Sequence, residues 1–163
     1  MTTTLLNQEN ALAIDETVPF IALTIGLRTN LAALAESGRR ASQQLQAEAT
    51  RLGLDASVAA HWLYTGLSGH PDDDFDLDIA LPISSSIVGT PGSSFAIRAI
   101  PAFHCATHTY TGSWNNLAKV YNALFQHFYA DDHVYDGRVR EIYRVVDSEN
   151  RENCVTDIQL GIA

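Results

Sequence analysis

The chain opens its regular pattern at Val18 to Arg28, VPFIALTIGLR, a β-rich run of the kind buried on both faces. Leu31, Leu34, Gly38, Ala41, Leu45, Ala49 and Leu52 then recur at three- and four-residue steps, which predicts one amphipathic helix. Ser37 and Gly38 weaken its first half, so its start falls at Leu31 or later, and Gly53 is placed to end it. Ser57 to Thr65 reads as a strand with Val58, Ala60, Trp62 and Tyr64 on one face. After a solvated loop of Gly, Pro and three consecutive aspartates, Phe75 to Ile83 alternates cleanly. Phe75, Leu77, Ile79 and Leu81 face inward there, and Asp76 and Asp78 outward.

Residues 84–94 form a linker by composition, and after it the pattern starts over. Phe95 to Ile100 is a strand, Pro101 breaks it, and Phe103 to Thr111 is another. Ser113 can cap a second helix, whose stripe runs through Trp114, Leu117, Val120, Tyr121, Leu124, Phe125 and Phe128. Strands at Arg138 to Val146 and Cys154 to Ile162 close the chain. Both halves share the order strand, helix, strand, strand. The expected fold is therefore α+β: duplicated β-α-β-β units, an antiparallel sheet, two helices on one face, and a pocket between the repeats. The expected domain spans 18–163, with repeat one about 18–83 and repeat two about 95–162. The polar segment 1–17 has room for a short strand.

The strand at 138–146 carries the first sign of chemistry. Strand alternation puts Arg138, Arg140, Ile142, Arg144 and Val146 on one face, which the arginines mark as wet. The other face holds Val139, Glu141, Tyr143 and Val145, leaving a lone carboxylate among apolar neighbours. A buried carboxylate needs compensation from an arginine, a hydroxyl or a cationic ligand; a structural ion pair or an edge position reaching water is the plainer alternative. Aligning the repeats places Trp62 and Tyr64 opposite Glu141 and Tyr143. With Tyr110 and Trp114 these make an aromatic-lined site with one anion, suited to a cationic or electron-poor aromatic ligand. Taken singly, each aromatic is more often ordinary core.

Composition narrows the classes. At 163 residues the chain is long enough for one domain with a real core, and its net charge of -9 argues against a nucleic-acid backbone as partner. Mean hydropathy of -0.03 fits a globular chain, with no run long enough to span a bilayer and no secretory leader pattern. Cys105 and Cys154 lack metal or redox spacing and read as reduced thiols of a cytoplasmic protein. His104 and His108 have the spacing of a helical zinc pair, but on a strand they stand about 13 Å apart, so no metal is assigned. No phosphate loop, dinucleotide fingerprint or nucleophile elbow occurs, and no cofactor is called for. Catalysis would have to be water activation by Glu141 with tyrosine help.

Ile100-Pro101-Ala102, the strand to His108-Thr109-Tyr110-Thr111-Gly112, the helix, Arg140-Glu141-Ile142-Tyr143 and Thr156-Asp157-Ile158-Gln159 together resemble the GyrI-like effector-binding domain. This is the small-molecule module at the C-terminus of many AraC-type and MerR-type multidrug regulators. Phe103 stands where a Gly often follows Pro-Ala, and Asp157 where Glu is commoner. The resemblance implies a pocket in which Glu141 engages cationic aromatic ligands, with Asp157 as a second acidic position. It also implies that some stand-alone members hydrolyse activated cyclopropanes, while others bind gyrase or sequester drugs. The N-terminal segment is too short for a helix-turn-helix. The resulting reading is a stand-alone cytoplasmic binder of hydrophobic, often cationic, small molecules. Two alternatives stand beside it: a hydrolase with Glu141 as catalytic base, and an inhibitor or co-regulator acting on a protein partner.

Overall fold

The computed structural model describes residues 12–84 and 89–163; part of the expected linker, 85–88, and residues 1–11 lie outside the described residues. The strands are β1 (Ala13–Glu16), β2 (Phe20–Thr29), β3 (His61–Thr65), β4 (Phe75–Pro82), β5 (Phe95–Ile100), β6 (His104–Thr111), β7 (Tyr135–Val145) and β8 (Val155–Ile162). The helices are α1 (Leu34–Arg51) and α2 (Leu117–Ala130). All strands join one antiparallel sheet in the order β1-β6-β8-β7-β3-β4-β2-β5.

That order is palindromic about the β3–β7 seam, as a duplication related by a pseudo-twofold axis requires. The registers agree. Trp62 pairs with Glu141 across the seam; Ile79 beside Trp62 matches Ile158 beside Glu141; Ile25 beside Ile79 matches His108 beside Ile158. Each repeat lends its leading strand to the other, since β1 pairs with β6 and β5 pairs with β2. The second half therefore has the strand Phe95–Ile100 on the far edge of the sheet, among the strands of the first.

Both helices cover the same face. Gly38 of α1 lies against the Trp62 indole, and Tyr121 of α2 bonds Glu141, the residue paired with Trp62. The main core fills the space beneath them, with Leu23, Leu45, Leu77, Ile79, Leu124, Phe128, Val139 and Ile158 all buried. α1 ends in a Schellman motif: Leu54 N donates to Ala49 O and Gly53 N to Thr50 O, with Gly53 at φ +74°. Ser113 caps a short 3-10 turn (Trp114–Asn116) that leads into α2, its hydroxyl accepting from Asn115 N.

Two expectations change. β3 begins at His61, because Ala56 to Ala59 leave the sheet and run along the cleft instead. The arginine-bearing face of β7 is not uniformly wet: Arg140 is 6% exposed and Ile142 is 2% exposed. The turn after β5 folds over this face, so the Arg140 guanidinium lies 4.3 Å from the Phe103 ring centroid and donates to Pro101 O. Burial, and next the neighbouring Arg138, pull its pKa down to about 10. A second small cluster of Ala22, Ala80 and Ile100 packs on this face.

Gly38 is the point where α1 comes closest to the sheet. A Cβ there would sit 2.6 Å from the Trp62 ring. Ala ordinarily gains about 1 kcal/mol over Gly inside a helix, but overpacking costs about 1–3 kcal/mol. Gly38→Ala is therefore expected to lower stability in urea unfolding. In a Trp62→Leu background the same change should become stabilising, and a loss of equal size in both backgrounds would show that the contact does not set the helix position.

Candidate functional site

Glu141 lies at the centre of the seam on the helix-covered face, 5% exposed. The alternation of β7 aims it inward, and its strand neighbour across the seam is Trp62. Three tyrosine hydroxyls donate to its carboxylate. Tyr64 and Tyr143 bond Oε1 at 2.8 and 2.6 Å, and Tyr121 bonds Oε2 at 2.5 Å. Among the described residues it forms no ion pair. Burial first, and then the Glu141 charge, hold all three phenols well above their ordinary pKa, so they remain neutral donors. A charged acceptor strengthens each bond to about 1.5–3 kcal/mol.

The hydroxyls arrive from three elements. Tyr143 is two residues along β7 from Glu141 and shares its face; Tyr64 comes from β3 and Tyr121 from α2. Because the seam is antiparallel, only Trp62 directly opposes its expected partner. Tyr64 registers against Val139, and Tyr143 N bonds Ala60 O. Both phenols still converge on one oxygen by leaning along their strands. The two indoles complete the wall: Trp62 and Trp114 meet the Tyr143 ring edge-on, at centroid distances of 5.3 and 5.4 Å. Trp114 is anchored by its Nε1 donating to Thr156 Oγ1.

Above this floor a cleft of about 1700 Å³ opens between α1 and α2. Of the residues expected at the site, Glu141, Tyr143, Trp62, Tyr64 and Trp114 all line it. Tyr110 and Asp157 do not. The Tyr110 hydroxyl turns to Ser113 O at the entry to α2, and Asp157 registers against Ile142, on the sheet's other face. There Asp157 accepts from Thr109 Oγ1 and Arg144 Nε, so it serves an ion-pair network away from Glu141.

Tyr121 is the partner missed in the sequence. It lies in the apolar stripe of α2, where a phenol is indistinguishable from core until the facing carboxylate is known. One end of the cleft is apolar, walled by Leu31, Leu34, Leu67, Phe125, Tyr129 and Tyr135; the other holds Arg144, Val146 and Arg151. Cys105 and Cys154 are buried free thiols. His104 is exposed beside Glu16, and among the described residues no cluster is placed to hold a metal ion. No helix among them is long and apolar enough to cross a membrane.

Solved structures with this fold include EcmrR. Its DNA complex matches with a TM-score of 0.74 at 16% identity, covering 93% of this chain and 56% of that one, so the chain spans just over half of that protein's length. The EcmrR C-terminal domain alone matches at 0.70 and 16% identity, covering 94% of this chain and 98% of that one. SAV2435 bound to tetraphenylphosphonium matches at 0.66 and 11% identity, with 93% of each chain covered. A hydrolase from Listeria innocua matches at 0.58 and 10% identity, covering 96% of this chain and 94% of that one. No curated protein sequence matches. The family model of the GyrI-like small molecule binding domain matches residues 59–163, most of the chain and all of the Glu141 strand, and the protein belongs to that family.

Proposed function

We propose that the protein binds hydrophobic, often cationic or aromatic, small molecules over Glu141, sensing or sequestering them in the cytoplasm. The observation that carries this reading is a buried carboxylate held by three tyrosine hydroxyls and, among the described residues, without an ion pair, at the floor of an aromatic cleft. Tyrosine hydroxyls satisfy its hydrogen bonds but leave its net charge uncompensated, and a ligand cation packed on the Trp62 and Trp114 walls would compensate it. The tetraphenylphosphonium bound to SAV2435 is a cation of this shape, which supports the reading by likeness of fold. Buried free cysteines fit a reducing compartment.

Hydrolysis is the second reading, favoured by a carboxylate and phenols in one cleft and by a relative described as a hydrolase. A general base must hold its water within hydrogen-bond reach. Glu141 already accepts from three hydroxyls out of about four lone-pair directions, which leaves one direction for a water. That geometry favours binding over turnover.

Glu141→Gln keeps the shape and removes the charge. Tetraphenylphosphonium affinity, followed by calorimetry, is expected to fall by about 2–3 kcal/mol, the attraction of unit charges about 6–8 Å apart at an effective dielectric of about 20, and a neutral aromatic of similar size should lose far less. Equal losses for both would make Glu141 a fold-shaping residue instead of a charge reader. An activated cyclopropane incubated with the protein should be recovered unchanged by mass spectrometry; multiple turnovers abolished in Glu141→Gln would place the enzyme reading first.

A further inference from the structure

The charge lining the cleft runs opposite to that of the chain. The protein carries 19 acidic and 10 basic residues, for a net charge of -9, yet among the described residues the cleft is lined by Arg39, Arg144 and Arg151 with Glu141 as the sole carboxylate. Two of these arginines are engaged. Arg39 forks onto Glu36 and bonds Gln43, and Arg144 donates through Nε to Asp157. The exposed guanidinium of Arg151 has no hydrogen-bond or ion-pair partner among the described residues.

Strand directions separate the two signs. β7 runs from the apolar end of the cleft, at Tyr135, through Glu141 to Arg144 at the opposite end, where the 3-10 turn Arg151–Asn153 precedes β8. Arg144 is three residues beyond Glu141 on β7. It is the extra residue of an irregularity between Tyr143 and Val145, and its guanidinium turns to Asp157 on the sheet's other face, which leaves Arg151, among the described residues, as the unpaired cation of the cleft. The cleft is thus apolar at one end, anionic at its centre and cationic at the other end.

We infer that the ligand is zwitterionic in layout, with a hydrophobic cation over Glu141 and an anionic group toward Arg151 at the end of the cleft beyond β7. This deepens the proposed binding of cationic aromatics and rests on it. A ligand with only a cation would leave Arg151 unmatched at the cleft mouth. A ligand with only an anion would meet Glu141 at the floor.

The test uses two triphenylphosphonium probes: one with a flexible ω-carboxyalkyl chain, and its methyl ester. In the unsubstituted protein at low salt the acid should bind about three- to fivefold more tightly than the ester, the range of a rim-exposed ion pair. The preference should vanish in Arg151→Gln and persist in Lys119→Gln, which removes a charge from α2 outside the cleft lining. Raising the salt should narrow it. An ester that binds as well as the acid overturns the inference and leaves cation binding intact. A preference that survives Arg151→Gln overturns the assignment of the anionic end. Failure of both probes and of tetraphenylphosphonium removes the proposed function and the inference together.

Discussion

Desolvating the Glu141 carboxylate is the constraint around which the seam is arranged. Taking an ion out of water costs several kcal/mol even after relaxation, and removing its partners would leave that cost unopposed. Here the compensation comes from neutral donors. Three phenols at about 1.5–3 kcal/mol each are of the right size to hold a buried carboxylate without a counter-ion. An arginine in their place would have stabilised the charge more directly, and would also have occupied the space a cation could take. Hydroxyls leave the field of the carboxylate directed into the cleft.

Convergence of those hydroxyls depends on the duplication. Tyr64 and Tyr143 occupy corresponding places in the two repeats, and the exchange of β1 and β5 ties the repeats together at both edges of the sheet. The seam pair β3–β7 is therefore central, with three strands on either side holding its register. A one-residue slip would turn Glu141 to the other face and Arg140 into the core, which the burial of both residues forbids. Precision at the site comes from the sheet, and the helices supply Tyr121 and the upper walls.

Much of this was legible in the chain because strand alternation is simple. Val139, Glu141 and Tyr143 read as one face, and the repeat brought Trp62 and Tyr64 beside them. What escaped the pattern needed tertiary knowledge. Tyr121 was hidden in a helix stripe beside Val120, Leu124 and Phe128, which are core. Arg140 looked solvated because alternation cannot show that the turn carrying Pro101 and Phe103 folds back over its face. Tyr110 was expected at the site as one of its aromatics, and Asp157 through the family resemblance. A turn drew the first to Ser113 O, and parity placed the second behind the sheet.

The two repeats are equal in backbone and unequal at the seam, and the inequality makes the site. Directly opposed residues of an antiparallel pair hold their Cβ atoms about 4.5–5.5 Å apart. Had repeat one carried a carboxylate where it carries Trp62, two anions would face each other at that distance, and one would have to take up a proton. Trp62 removes the repulsion and presents an aromatic surface beside the remaining charge. Gly38 then lets α1 settle against the indole, since any side chain there would collide with the ring. The charge reader and its wall are thus the same sheet position in two copies, diverged into complementary parts.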